Sequence, residues 1–482
     1  MKNGQSARGL GVLLLAAGEG RRMASSTPKV LHPIGGRPMI FHVLRAANAL
    51  KPGEIGVVVG HQGDAVKAAC LAMAKEGGVS RPLSFVRQKE PKGSGDAVIS
   101  SLSFLKKFKT AVVLCADAPL ITYESLYALL RLHEEQKNQV TFLTARVRNP
   151  RGYGRVVRSP LGEVLRIVED AVASAKELAI SEVNSGVYCF ETEALAAGLK
   201  AIGPKGPKKE FFLTDILEVA RGSGGRIGAH LSAAPEEIGG VNTRVQLAEA
   251  QRHFNRRALE RLMLSGVTII DPASVYVDAD VEIGKDSVVW PGAVLRGKTK
   301  IGRDCVIGPH CHIEDSEVGA ECDIEMSKLS RCRVLEKTKV GPFSHIRPDS
   351  VLGPRARVGN FSEIKASRVG AGSKVNHLSY VGDADVREDV NIGAGTITCN
   401  FDGRGKNKTV IEAKAFIGSN TTIVAPLRVG RGALVAAGST IDEDVPAGAL
   451  AFGRARQENK AGRAKDGLLL NGGRKVAGGN HA

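Results

Sequence analysis

The stretch KIGRDCVIGPHCHI, Lys300–Ile313, carries a branched aliphatic residue at every sixth position: Ile301, Ile307 and Ile313. The beat begins earlier, at Ile283, Val289 and Leu295. It returns at Val340, Ile346, Leu352, Val358 and Ile364, and again at Ile411, Ile417, Ile423, Val429, Val435 and Ile441. A period of six matches neither the helical 3.6 nor the simple alternation of a long strand. It suits a coil of short strands and corners, in which one aliphatic residue per side points inward; this is the hexapeptide β-helix pattern. Two positions before the aliphatic residue stands a small one, as at Ser287, Ala293, Ser344, Ala356, Ser362, Ala415, Ala433 and Ser439. Cys305, Cys311, Cys322 and Cys332 occupy the same slot, so they read as small buried corner residues.

The half of the chain before this repeat follows a different rule. Apolar strands (Val12–Gly18, Ile55–Gln62, Ala111–Asp117, Gln139–Val147, Val183–Phe190) alternate with helical stretches such as Pro38–Leu50 and Tyr123–Glu135. That order predicts an α/β domain with a largely parallel sheet, whose ligands bind beyond the carboxyl ends of the strands. Gly203–Lys209, GPKGPKK, reads as a surface loop. From Thr243 to Gly266 an apolar-periodic segment, with Leu247, Phe254, Ala258 and Leu262 on one side, predicts a connecting helix. The expected domains are therefore residues 1–242, a linker helix over 243–266, a β-helix over 267–450 and a basic, mostly disordered tail over 451–482.

A chain of 482 residues with 43% hydrophobic content has ample material for two cores. No stretch approaches the length needed to cross a bilayer, and the N-terminal segment lacks a signal-peptide pattern. Eight cysteines without paired spacing argue against a disulfide framework or a zinc site and for the reducing cytoplasm. The net charge of +17 raises nucleic acid as a partner, but aromatics are only 4% and no basic run interleaves with stacking rings. Solvated basic faces and anionic small-molecule substrates remain, with neither nucleic acid nor membrane as partner.

Chemistry concentrates in a few places. LLLAAGEGRRM, Leu13–Met23, starts like a dinucleotide fingerprint but has Met23 where its third glycine belongs, and no acid follows about 20 residues on. Gly18, Gly20, Arg21, Arg22 and Lys29 together suit a polyphosphate, although a glycine-rich turn with solvated arginines fits the loop taken alone. CADAPLI, Cys115–Ile121, ends a strand on Asp117, placed to hold Mg²⁺ on substrate phosphates or simply to cap the turn. In the second half, VNHLSYVGD sets His377 and Tyr380 where small or charged residues would serve a plain solenoid. A lone histidine can be structural, but Arg347, Glu363, Lys365 and Asn391 stand near corners of successive coils and could line one edge with it. Thr398–Thr409 breaks the beat and reads as a loop folded over the solenoid.

The first of these motifs, with Gln88, Gly93-Ser94-Gly95, Asp117, Gly152–Arg155, Ile167–Glu169, Asn184–Gly186, Phe211–Asp215 and Gly240–Asn242, resembles the sugar-phosphate nucleotidyltransferases. With GPFSHIRP, VGNFSEIKAS, NHLSYVGDA, NIGAGTITCNFDG and GSNTTIVAP added, the chain from about residue 9 to 457 is similar to the bacterial bifunctional uridyltransferase/acetyltransferases that make UDP-N-acetylglucosamine. The resemblance implies a Rossmann-like nucleotidyltransferase domain followed by a left-handed parallel β-helix, and a homotrimer. It implies that Leu15, Ala16, Ala17, Gly18, Gln88, Gly93 and Ser94 hold the nucleotide of UTP. Arg22 and Lys29 would face its phosphates, and Asp117 and Asn242 would ligate Mg²⁺. Gly154, Glu169 and Asn184 would bind N-acetylglucosamine-1-phosphate, and Cys115 would belong to the same nucleotide- and sugar-binding set. In the second half His377 would be the general base; Arg347, Lys365, Tyr380 and Asn391 would bind glucosamine-1-phosphate. Ala394, Asn400, Phe401, Lys406, Ser419, Ala437 and Arg454 would contact acetyl-CoA. The chain departs from the family at Glu19, Arg21 and Cys115-Ala116, and at Phe401, where a tyrosine is common. Two alternatives are a monofunctional nucleotidyltransferase with a regulatory β-helix and a non-catalytic assembly factor.

Overall fold

The computed structural model describes residues 9–205 and 209–462, which leaves the middle of GPKGPKK and residues 463–482 of the tail expected over 451–482 outside the described residues. The chain divides into two compact units near Ile283, with Val294–Thr299 also in the first. None of the described helices is long and apolar enough to cross a membrane.

The first unit is built on a nine-stranded sheet: β1 (Leu10–Leu15), β2 (Glu54–Val59), β3 (Leu83–Arg87), β4 (Thr110–Cys115), β5 (Val140–Arg146), β6 (Arg155–Arg158), β7 (Val164–Val168), β8 (Glu182–Glu191) and β9 (Ile227–Leu231). Its main order is β9-β5-β8-β4-β1-β2-β3, and the β6–β7 hairpin pairs on to β8. The five predicted strands are all present. The sheet departs from a plain parallel one at β8, which runs antiparallel to both β4 and β5. β1, β2 and β4 are buried on both faces, as their unbroken Val/Leu/Ile runs require. Cores form on the two sides, one around Val12, Leu14, Val57 and Leu44, the other around Leu13, Val58, Val113 and Phe142. The connecting helix spans Arg244–Leu264, and the Thr243 side chain accepts the Gln246 N–H as its N-cap. Ala258 and Leu262 are buried, and Leu247 and Phe254 pack on a third cluster containing Met23, Ile34 and Val241.

In the second unit, strands of two to four residues stack in parallel into three sheets. The inward aliphatics of successive coils fall in register: Ile307 on Ile324, Ile324 on Val340, Val340 on Val358, Val358 on Val375. Each is essentially buried, so each contributes on the order of 2 kcal/mol of burial free energy. The four corner cysteines are buried and free, and their size is not their only use. Cys305 Sγ donates to the Gly319 carbonyl at 3.1 Å and Cys322 Sγ to the Leu335 carbonyl at 3.1 Å, each one coil further on. Small polar side chains therefore satisfy the corner carbonyls that the aliphatics leave open.

On the helix Tyr123–Gln136, His133 is buried against β5. Asn138 Nδ2 donates to Thr141 Oγ1 at 3.1 Å, which frees the hydroxyl proton for His133 Nδ1 at 3.0 Å. Burial pushes this imidazole down from 6.5 to about 4. Between those values the unfolded chain binds the extra proton, so stability falls as pH drops from about 6.5 towards 4, by on the order of 3 kcal/mol. His133→Gln should flatten that loss. Urea unfolding of both proteins at pH 7.5 and 4.5 checks this, and an equal acid loss in the variant contradicts it.

Candidate active sites

β1, β2 and β4 end side by side at one edge of the sheet, with Leu15 opposite both Val58 and Cys115. The chain leaves β1 as Ala16–Gly20 and then wraps Lys29. Gly20 has φ 67°, and a Cβ there would stand 2.6 Å from Lys29 Cβ. Only glycine meets both demands. Met23 is 1% exposed and belongs to the third apolar cluster, so the position a dinucleotide loop gives to glycine is here part of the core. Glu19, the acid in an otherwise cationic loop, accepts from Arg21 Nε at 2.6 Å. Arg22 stays exposed and forms no ion pair among the described residues.

Lys29 reaches from this loop to the two expected metal ligands. Its Nζ donates to Asp117 Oδ2 and, at 2.9 Å, to Asn242 Oδ1. Asn242 is carried there by the neighbouring backbone, since Val241 N–H donates to the Asp117 carbonyl at 2.9 Å. One carboxylate and one amide oxygen thus converge on a single cationic position, held here by the ammonium. Both are hard oxygen donors, the set a divalent cation shares with substrate phosphates. Among the described residues there is no group of three or more His, Cys, Asp or Glu able to hold a metal by itself.

Gln88 is buried, and its Nε2 donates to Asp96 Oδ2 at 2.7 Å and to the Gly93 carbonyl at 3.2 Å. Both bonds occupy the donor end of the amide, leaving Oε1 as its accepting end. Ser94 Oγ accepts the Leu213 N–H at 3.3 Å, and Gly95 N–H donates to the Phe211 carbonyl at 2.8 Å. Glu169 and Asn184 flank Gly154, where a Cβ would lie 3.6 Å from Glu169 Oε2 and 3.7 Å from Asn184 Cβ. Burial raises the Glu169 carboxyl, against a hydrogen bond from Thr214 Oγ1 at 3.0 Å that favours its ionised form. Asn184 Nδ2 donates to the Tyr188 hydroxyl at 2.6 Å. Cys115 lines the same edge; burial pushes its thiol up to about 12, so it stays neutral beside Asp117.

In the solenoid the residues sort into two groups. One is a column with a member on each successive coil: Asn360, His377, Ala394, Ser419 and Ala437. Gly395 N–H donates to the His377 carbonyl, Asn420 N–H to the Ala394 carbonyl and Gly438 N–H to the Ser419 carbonyl. Arg454 Cδ comes within 3.9 Å of a Cβ at Gly438, which brings this guanidinium to the end of the column. The other group lies on the adjacent sheet. Lys365 Nζ donates to Asp383 Oδ2 at 2.9 Å, Asn400 Nδ2 donates to the same carboxylate oxygen, and Asn400 Nδ2 also reaches the Tyr380 hydroxyl at 3.3 Å. Asn400, expected among the acetyl-CoA contacts, is thus bonded to Asp383 and Tyr380 instead, beside Lys365. Arg347 pairs with Glu363 at 2.7 Å. Asn391 stands apart, on the ladder between Lys374 and Phe416. Phe401 and Lys406 bridge the interrupting loop, with Lys406 Nζ 4.5 Å over the Phe401 ring.

Four residues of these networks receive no role in the sequence reading, although three lie within its quoted motifs: Asn360, Asp383, Tyr188 and Thr214. For two of them the repeat itself holds the clue. Asn360 stands 17 residues before His377 and Asp383 stands 18 after Lys365, one coil in each case.

A nucleotidyl transferase family model matches residues 11–235, the sheet and its strand-end loop. The first unit is therefore of the nucleotidyl transferase class. The relatives extend across both halves. The bifunctional protein GlmU of Halalkalibacterium halodurans is 44% identical over 93% of this chain and 97% of its own. That of Heliobacterium modesticaldum is 46% identical over 94% and 97%, and that of Trichlorobacter lovleyi 45% over 93% and 97%. The chain belongs to the family of bifunctional GlmU proteins and is an enzyme. A match that runs through the whole solenoid does not favour a monofunctional nucleotidyltransferase.

Thr214→Val should push the Glu169 carboxyl further up by removing the hydroxyl that holds its charged form. The acid limb of the nucleotidyl transfer rate then moves to higher pH, read from rate–pH profiles of the two proteins; superimposable profiles contradict the coupling.

Proposed function

We propose that the chain makes UDP-N-acetylglucosamine in two reactions. The solenoid transfers acetyl from acetyl-CoA to the amine of glucosamine-1-phosphate. The first unit then transfers uridylyl from UTP to N-acetylglucosamine-1-phosphate and releases pyrophosphate. Residues 1–242 form the nucleotidyltransferase domain, 243–266 the linker helix and 267–450 the acetyltransferase. The observation that carries the first assignment is the convergence of Asp117 and Asn242 on one cation position beside the loop that wraps Lys29.

Leu15–Gly18 take the nucleotide along the strand ends. Gln88, with its donor end occupied, presents Oε1 to an N3–H, which uracil has and neutral cytosine lacks. Gly93 and Ser94 close the same side. Asp117 and Asn242 would hold Mg²⁺, which supplies charge neutralisation on the triphosphate. Lys29 moves from the two oxygens to the phosphates once the oxygens take that cation, and Arg22 joins it. Gly154, Glu169 and Asn184 orient the sugar so that its phosphate attacks the α-phosphorus in line. No side-chain nucleophile is needed: positioning and charge neutralisation do the work.

In the solenoid His377 takes a proton from the sugar's amine as that nitrogen attacks the thioester carbonyl. Lys365, Arg347, Tyr380 and Asn391 receive the phosphorylated sugar. The small residues Ala394, Ser419 and Ala437 leave a channel beside the column for the extended arm of acetyl-CoA. Arg454, Lys406, Asn400 and Phe401 bind its remainder. Stacked apolar corners next to His377, Phe343 on Phe361 at 5.3 Å with Leu378 one coil further, are more than half exposed. This stripe supports a homotrimer in which copies cover it. Free cysteines and nucleotide substrates support the cytoplasm as its place.

The two activities should separate by mutation. With glucosamine-1-phosphate, acetyl-CoA, UTP and Mg²⁺ supplied, His377→Ala is expected to lose free-thiol release by roughly 10²–10⁴-fold. Given N-acetylglucosamine-1-phosphate it should still release pyrophosphate. Asp117→Ala should show the reverse pattern. Loss of both activities in either variant would sink the assignment of separate sites.

A further inference from the structure

Asn360 and His377 are register partners on two strands that outrun their neighbours. Arg357–Asn360 and Lys374–His377 have four residues each, while the flanking strands of the same sheet, Lys339–Val340 and Asn391–Ile392, have two. Gly359 permits the extension, because a Cβ there would collide with the Asn376 carbonyl of the next coil. The extra length carries the ladder to the corner, where His377 Nδ1 lies 2.6 Å from Asn360 Oδ1. Asn360 is half-buried and His377 exposed, so the amide is the anchored partner and the imidazole the presented one.

An amide oxygen carries no proton, so this bond requires Nδ1 to donate. The ring's lone pair is then on Nε2. We infer that Asn360 is a positioning residue for acetyl transfer: it holds His377 as the Nδ1–H tautomer and so makes Nε2 the proton acceptor. The inference rests on the reading of His377 as the base. The step balances within the site. The amine proton passes to Nε2 as the C–N bond forms, the C–S bond then breaks, and the proton passes from Nε2 to the departing thiolate. While Nε2 carries that proton, the Nδ1–H bond to Asn360 is charge-assisted and stabilises the imidazolium. A neutral acceptor does this without trapping the proton on the ring, as a carboxylate in the same place would tend to do.

The test uses the full chain. Asn360→Leu removes the acceptor at similar volume; its kcat for acetyl transfer should fall about 10–100-fold. KM for both substrates and the rate of uridylyl transfer should hold. Asn360→Asp restores an acceptor oxygen and should recover only part of the lost rate, because its charge holds the proton on the ring. ¹⁵N couplings of labelled histidine should place the His377 proton on Nδ1 in the parent protein and not in Asn360→Leu. Unchanged kcat in Asn360→Leu, or an Nε2–H ring in the parent, overturns the inference. His377→Asn separates the two levels. If it abolishes acetyl transfer while Asn360→Leu does not, positioning alone fails; if it leaves acetyl transfer intact, the base assignment fails and this inference with it.

Discussion

Parallel ladder pairing requires each residue of the solenoid to stack on its counterpart one coil away. Hydrogen bonds such as Gly341 N–H to the Val358 carbonyl lock that register along the stack. The core follows from it directly, because an aliphatic placed over an aliphatic buries both, while a shift of one residue would turn the whole set outward. The chemistry follows as well. A column of positions at one corner presents a side chain every coil, so a site is assembled by changing residues along a line. Asn360, His377, Ala394, Ser419 and Ala437 are five steps of such a line. Below His377 the line offers an acceptor for the ring; above it, small residues leave room.

The first unit solves the same problem by a different constraint. Its strands end at one edge because β1, β2 and β4 are parallel and in register. Side chains from distant parts of the sequence then meet there. Lys29 and Asn242 are 213 residues apart and bond across that edge. Three groups with formal charges +1, −1 and 0 share one point, and the lysine neutralises the carboxylate there. The loop that delivers Lys29 leaves no space for a side chain at Gly20, and it buries Met23 instead of leaving a glycine-sized gap. These two facts distinguish it from a dinucleotide loop more firmly than the missing glycine alone.

How much of this could be read from the residues depends on how local the cause is. The six-residue beat, the corner cysteines and a strand leading to Asp117 were legible, although that strand ends at Cys115 and Asp117 lies in the turn after it, because burial and turn chemistry act within a few positions. The antiparallel direction of β8 was not, since its Val/Tyr/Phe run suits either direction and only the partners β4 and β5 decide. The meeting of Lys29 with Asp117 and Asn242 depends on tertiary placement that periodicity does not encode. Thr214 and Tyr188 were missed for the same reason: each matters through a partner, Glu169 or Asn184, brought to it by the fold. Asn360 and Asp383 are the intermediate case. A repeat of known coil length points to the position beneath any given residue, so subtracting one coil from His377 leads to Asn360.

That intermediate case bears on how a solenoid carries a cluster of polar side chains without losing stability. A coil's corner carries two kinds of side chain: small buried ones such as Cys305 and Ser344, and outward ones that point away from the aliphatic core, as the exposed Phe343, Phe361 and Leu378 do. The backbone at the same corner is less tolerant: Gly359 has no room for a Cβ because the next coil lies against it. Function is therefore written in the corner side chains, while the small residues beneath them hold the spacing. Lengthening two adjacent strands to four residues adds ladder pairing where the site needs rigidity, and it does so without disturbing the register of Val358 on Val375. The histidine gains a fixed partner from the same hydrogen-bonded ladder that holds up the fold.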